Sequence, residues 1–193
     1  MMASAMEADW EVEVGGGAPV IEAQWPGFID LRRHPERIAE IQEGTALPAL
    51  GTLLLALNGA GSPLWTSKCD LWEPQTDDLA GDLSDSPEAE AAQAALPSYL
   101  ACYIDLLPLA GSVFSQWQQA EAFCRHWITR LIDPLVDNRL PGCRLDMVVR
   151  QSLAGEVEGF AVTAYLSAAG RDRAAAAQAL AGALAAFAAS IPA

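Results

Sequence analysis

Four aspartates recur in one setting along the chain: Asp30 in Phe-Ile-Asp-Leu, Asp70 in Lys-Cys-Asp-Leu, Asp105 in Tyr-Ile-Asp-Leu and Asp146 in Arg-Leu-Asp-Met. An apolar residue flanks each one on both sides. In extended chain, period-two alternation sends those flanks to one face of a sheet and the carboxylate to the other. By the same counting Lys68, Tyr103, Arg144, Arg150 and Tyr165 project with the aspartates, and Trp72 closes a strand beside them. Two or three aspartate oxygens on one face could hold a hard divalent cation, Mg²⁺ or Mn²⁺, while an arginine clamps a phosphate. That chemistry would belong to a metal-dependent enzyme acting on a small phosphorylated substrate through Asp70, Asp105 and Asp146. Alternating charge along one strand, as in Arg144, Asp146 and Arg150, suits instead a solvated face laced with ion pairs. The candidate binding residues are therefore Lys68, Asp70, Trp72, Tyr103, Asp105, Arg144, Asp146 and Arg150.

Other reactive residues are sparsely placed. His34 precedes Pro35 at a helix start. His126 lies two residues after Cys124, a spacing that points the two apart on a helix and makes them poor joint ligands. Cys69, Cys102, Cys124 and Cys143 form no CxxC pair and sit in apolar or periodic segments, the pattern of buried reduced thiols. The glycines at 15–17 and 59–61 lack the strand-to-helix context of a phosphate-binding loop, and no serine stands in a nucleophile elbow.

Charge narrows the functional classes further. The 193 residues carry 11 basic and 25 acidic side chains, for a formal charge of -14. Neutralising phosphates requires Lys and Arg, so neither nucleic acid nor an anionic membrane is an expected partner. Ten acids and no base lie between Cys69 and Cys124. Residues 73–97 hold most of them (Asp77, Asp78, Asp82 and Asp85 included) in an acidic, Pro-bounded stretch of low complexity, read as a long mobile loop. Such a stretch could engage a basic protein by charge complementarity. The N-terminus shows no secretory leader pattern, and the uncharged runs at 46–67 and 174–193 are too broken by Pro, Gly and Ala to span a bilayer. A cytoplasmic protein is expected, and the single lysine among ten arginines suggests a bacterial composition.

The elements that would position these groups follow from periodicity. Residues 10–14 alternate as a strand. Residues 20–25 and 28–32 read as a second strand or hairpin broken at Pro26-Gly27, which places Asp30 on the sheet. Helices are expected from Pro35 and from Pro48 to Asn58. Residues 64–72 form a strand with Trp65, Cys69 and Leu71 facing the core and Thr66, Lys68 and Asp70 facing away. Residues 99–107 form the clearest strand, burying Leu100, Cys102, Ile104 and Leu106. A long helix opens at Ser112 or Ser115, carries Phe114, Trp117, Cys124 and Trp127 on its apolar stripe, and ends at Pro134. A hairpin over 143–151 and 159–167, then a helix capped by Asp172, complete the chain.

This order predicts a single α+β domain over residues 1–193, a two-layer sandwich of a mainly antiparallel sheet with helices on one face, related to the ferredoxin-like pattern. Open, Asp-bearing sheets of that kind resemble the palm domains of polymerases and nucleotide cyclases in arrangement, without a shared motif. The functional expectation is a small acidic interaction protein, masking or immunity-like, for a basic partner. It needs no cofactor, whereas the metal-dependent enzyme, the alternative, would need Mg²⁺ or Mn²⁺. Carboxylates converging on one point would favour the enzyme; carboxylates each paired with arginine would favour the binding module.

Overall fold

The structure, a computed structural model, describes residues 6–13, 15, 18–74, 98–132, 140 and 142–191. Among the described residues there are six strands: β1 (Glu7–Glu13), β2 (Ile21–Glu22), β3 (Leu64–Trp72), β4 (Ser98–Pro108), β5 (Cys143–Ala154) and β6 (Val157–Gly170). A 3-10 helix at Pro35–Glu40 precedes α1 (Gln42–Ala46) and α2 (Pro48–Leu57); α3 (Trp117–Leu131) follows β4 and α4 (Arg173–Ala189) follows β6. The fold is α+β, with an open, mostly antiparallel sheet in the order β1-β5-β6-β4-β3. Only β1 and the short β2 run parallel to their neighbour, β5.

Each long element follows its local pattern. In β4 the even residues Leu100, Cys102, Ile104 and Leu106 are buried against the helices, and the odd residues turn to the other face. A two-residue turn joins β5 to β6, with Gly155 at φ 65°, a conformation that suits glycine. Asp172 caps α4 by accepting from the Ala175 N–H at 2.8 Å. Helices α3 and α4 share one face of the sheet. Their contact is a stack of Trp127 on Phe187, centroids 4.3 Å apart, and Trp127 Nε1 donates to Ser190 Oγ at 2.7 Å. One continuous core runs from Met6 through α2, the sheet and both long helices to Phe187.

Several expectations are corrected. The first strand reaches back to Glu7 and pairs parallel to β5, an exception within the mainly antiparallel sheet. Residues 20–32 form no hairpin. Only Ile21–Glu22 is strand, and Asp30 sits in a turn, off the sheet, accepting from the Arg32 side chain at 2.9 and 3.0 Å. That bidentate partner holds Asp30 below the usual carboxylate range. Strand β3 carries a bulge between Thr66 and Cys69, where two residues oppose one on β4. The extra residue shifts the alternation by one. Thr66 is consequently buried on the helix side, bonded to Asn58, and Trp65 turns to the opposite face. Trp117 is 36% exposed at the start of α3 rather than in the core, and Phe114 bridges to Phe160 ahead of that helix. The acidic stretch, apart from Glu73 and Pro74, and the helix end at Pro134 lie outside the described residues.

The opposite face, helix-free among the described residues, is itself partly covered. Residues 20–28 cross it at one end, where Ile21, Ala23 and Phe28 pack with Trp65, Leu107, Val113 and Ala161 in a second, smaller cluster. The chain then turns back to the helix side, where Leu31 joins the main core, while the Arg32 guanidinium stays over the Trp65 ring at 4.1 Å. At the far end of β6 the sheet meets α4 without room for a side chain: a Cβ on Gly170 would lie 2.2 Å from the Ala176 nitrogen. Gly170→Ala should therefore cost about 1–3 kcal/mol, as overpacking does. Urea denaturation should show a lower midpoint with an unchanged slope.

Candidate binding face on the helix-free side of the sheet

Strand register orders the uncovered part of this face into rows that run across the sheet. One row reads Asp70, Tyr103, Tyr165, Asp146, Asp9 from β3 to β1. The next reads Trp72, Ala101, Ser167, Arg144, Glu7. On the other side, Asp105, Thr163, Val148 and Glu11 line up, with Lys68 opposite Asp105 in the bulge. All eight candidate residues thus belong to this side of the sheet, with Lys68 folded against Trp25, its Nζ 5.6 Å from the ring centroid.

The carboxylates do not converge. Neighbouring strands lie about 4.8 Å apart, so Asp105 and Asp146, with β6 between them and one row apart, stand roughly 12 Å apart at the backbone, and Asp70 and Asp146, in one row, roughly 14 Å. No group of three or more His, Cys, Asp or Glu side chains placed to hold a metal occurs among the described residues. Each aspartate has its own local use. Asp70 accepts from the N–H of its successor, Leu71, at 2.7 Å. Asp146 receives both ends of the Arg144 fork, at 2.6 and 2.8 Å. This pair lies along one strand, two residues apart, and is not a cross-strand pair.

Asp105 differs from the others. It is 5% exposed and accepts from Thr163 Oγ1 at 2.7 Å. Burial raises its pKa to about 6, against the lowering effects of the Thr163 bond and of the Lys68 and Arg150 charges. The Tyr103 phenol is pushed up to about 12 by burial and by the Asp105 and Asp70 carboxylates, so it stays a neutral donor. The four thiols are free. Cys69, Cys102 and Cys124 are each raised to about 12, chiefly by burial, which leaves them without thiolate at neutral pH. His126 is exposed, and His34 faces Glu36 at 3.2 Å on the surface.

What the face offers is aromatic area bordered by acid. Trp72 and Tyr103 stand 6.1 Å apart between centroids, and Tyr103 and Tyr165 6.0 Å. Trp72 is 36% exposed. Beyond Tyr165 lies a depression walled by Asp9, Glu11, Arg144, Asp146, Val148 and Arg150. Both arginines are already engaged. Arg144 is held by Asp146, and Arg150 donates to Glu13 at 2.8 Å and to the Tyr165 hydroxyl at 2.6 Å. Glu13 is in turn held below the usual carboxylate range by Arg150. Asp9 and Glu11 have no ion pair among the described residues. Uncompensated charge on this face is therefore negative.

The acids of β1 and the aromatic role of Tyr165 were missing from the candidate set. Their signal was the alternation Glu7, Asp9, Glu11, Glu13, which shares a face with Arg144, Asp146 and Arg150 only because β1 lies parallel to β5. Comparison with protein-family models, with curated proteins and with solved structures finds no match to this chain. No helix among the described residues is long and apolar enough to cross a membrane.

Proposed function

We propose that this protein is a non-catalytic interaction module that binds a cationic protein surface on the helix-free face of its sheet. The observation that carries this reading is the pairing pattern on that face. Its two arginines are tied to acceptors within the sheet, while Asp9 and Glu11 stay unpaired beside the aromatic run Trp72, Tyr103, Tyr165. Aromatic anchors with a charged rim are the usual composition of protein-binding patches. The overall charge of -14 supplies the long-range field that would draw a basic partner in. We also relate the fold to the ferredoxin-like pattern by permutation. Strands β4 and β5, joined through α3, run parallel with β6 between them, and β3 fills the fourth position from the N-terminal side.

An arginine-rich peptide serves as a probe of this reading. Its association rate, followed by stopped-flow fluorescence, should fall steeply between 0.1 M and 1 M salt as the Debye length shrinks from about 10 Å to about 3 Å. Replacing Asp77, Asp78, Asp82 and Asp85 by Asn should lower the rate and leave dissociation nearly unchanged. Binding that ignores both salt and these replacements would contradict a charge-steered module.

A further inference from the structure

We propose that the outer edge of β1 receives an extended segment of the basic partner, which adds to the sheet as a further strand. This rests on the reading of the protein as a binder of cationic protein and specifies how the partner is held. The sheet ends at β1, and among the described residues no strand pairs with its outer side. The Trp10 N–H is received by Asp9 Oδ1 at 2.8 Å. That backbone donor therefore points away from β5, and alternation sends the main-chain groups of Ala8 and Val12 outward with it.

The two edges of the sheet are protected differently. On β3 the bulge at Ser67 and Lys68 interrupts the ladder, and Ser67 Oγ donates to the Glu22 carbonyl beside it. Bulges, lysines, prolines and covering segments are the usual guards of an edge. Strand β1 has none of the first three. It runs seven residues in unbroken register with β5, and its Glu-Ala-Asp-Trp-Glu-Val-Glu sequence contains neither Lys nor Pro. Its guard is charge. Glu7, Asp9, Glu11 and Glu13 share one face at period two, about 6.7 Å apart. A second copy of β1 laid along this edge would set acid against acid, so self-pairing is disfavoured.

A strand with Lys or Arg at alternate positions meets the opposite situation, because its side chains repeat at the same spacing and stand opposite the acids. Glu7 and Glu13 already face Arg144 and Arg150, which leaves Asp9 and Glu11 for the incoming cations. On the other face of β1 the half-buried Trp10 and the 37% exposed Val12 offer apolar contact. The occupant is thus an extended segment alternating basic and apolar residues. Asp9 acts as a latch: an incoming guanidinium draws its carboxylate away, and the Trp10 N–H becomes free to donate to the added strand.

The test uses two peptides of equal charge, an alternating Arg-Val octamer and the same octamer with N-methylated valines, which cannot form a ladder on the valine side. Binding is measured by calorimetry at low salt, with backbone amide exchange read by NMR. The alternating peptide should bind about tenfold more tightly than the methylated one, as loss of a few ladder bonds and charge pairs implies. It should slow exchange at Ala8, Trp10 and Val12. Asp9→Asn should weaken it about tenfold in a chain with unchanged helical circular dichroism, and Val12→Pro, which blocks an outward N–H, should abolish the protection. Equal affinity for the two peptides, with spectral changes only around Trp72, Tyr103 and Tyr165, would overturn the edge and leave the binding face standing. Failure of both peptides to bind at low salt would overturn both. A concentration-dependent dimer of the free chain with β1 amides protected would show that the edge belongs to a second copy, and would also overturn the proposal.

Discussion

Asp105→Asn is expected to raise stability at neutral pH by up to about 3 kcal/mol. Burial raises the folded-state pKa of Asp105 to about 6, against an ordinary value of 3.8. Such a group binds its proton more tightly in the folded chain. Its favourable contribution is complete below the unfolded value and is lost as pH rises through the folded one. A gap of about two pK units corresponds to roughly 3 kcal/mol at 1.36 kcal/mol per unit. Asparagine keeps an oxygen to accept from Thr163 Oγ1 and carries no charge to bury. The natural chain should accordingly lose stability between pH 4 and pH 7 relative to Asp105→Asn, and the difference should level off above pH 7. Urea denaturation of both chains across that range checks this. Parallel pH profiles would show that the Asp105 carboxyl is no harder to ionise in the folded chain than in the unfolded one, and would remove the one strongly perturbed carboxylate from the face. Asp30 and Glu13, both lowered by arginine partners, act in the opposite sense, with stability present above their unfolded values and lost in acid. The comparison of the two chains cancels that background.

Trp127→Ala should cost about 3–5 kcal/mol, the range for removing a large aromatic from a core. Trp127 is fully buried, stacks on Phe187, and joins α3 to the C-terminal end of α4 through Ser190. Trp127→Phe separates the two contributions. It keeps the stack and removes the indole donor, so it should lose only about 1 kcal/mol beyond its smaller size. Guanidinium denaturation should give a large fall in midpoint for Ala and a small one for Phe. Comparable losses for both would mean that the hydrogen bond to Ser190, and not the stack, secures the two helices.

Much of this fold was readable where a period was undisturbed. Strand β3 was placed to the residue, β4 within one residue at each end, and α4 by its Asp172 cap, because alternation and the helical stripe express burial on one face. The misreadings have physical causes that lie between segments. The bulge in β3 inserts one residue, and no local pattern announces it; Trp65 and Thr66 exchanged faces as a result. Strand β1 alternates legibly, yet its parallel union with β5 depends on chain path, and with it the grouping of Glu13 with Arg150. Asp105 looked like any other outward aspartate. Its burial, at the fringe of the end crossed by residues 20–28, is a tertiary fact. The candidate residues were placed on one side of the sheet by counting alone. That three of their carboxylates lie on three different strands, with Asp146 two strands from Asp105 and three from Asp70, follows from strand order, which counting does not supply.

The most direct test of the binding face is a chemical-shift map of the intact chain titrated with an arginine-rich peptide at 0.1 M salt. The predicted result is saturable change at Asp9, Glu11, Trp72, Tyr103 and Tyr165, little change on α3 and α4, and loss of the effect at 1 M salt. Shifts centred on α3 and α4, or none at millimolar peptide, would contradict it.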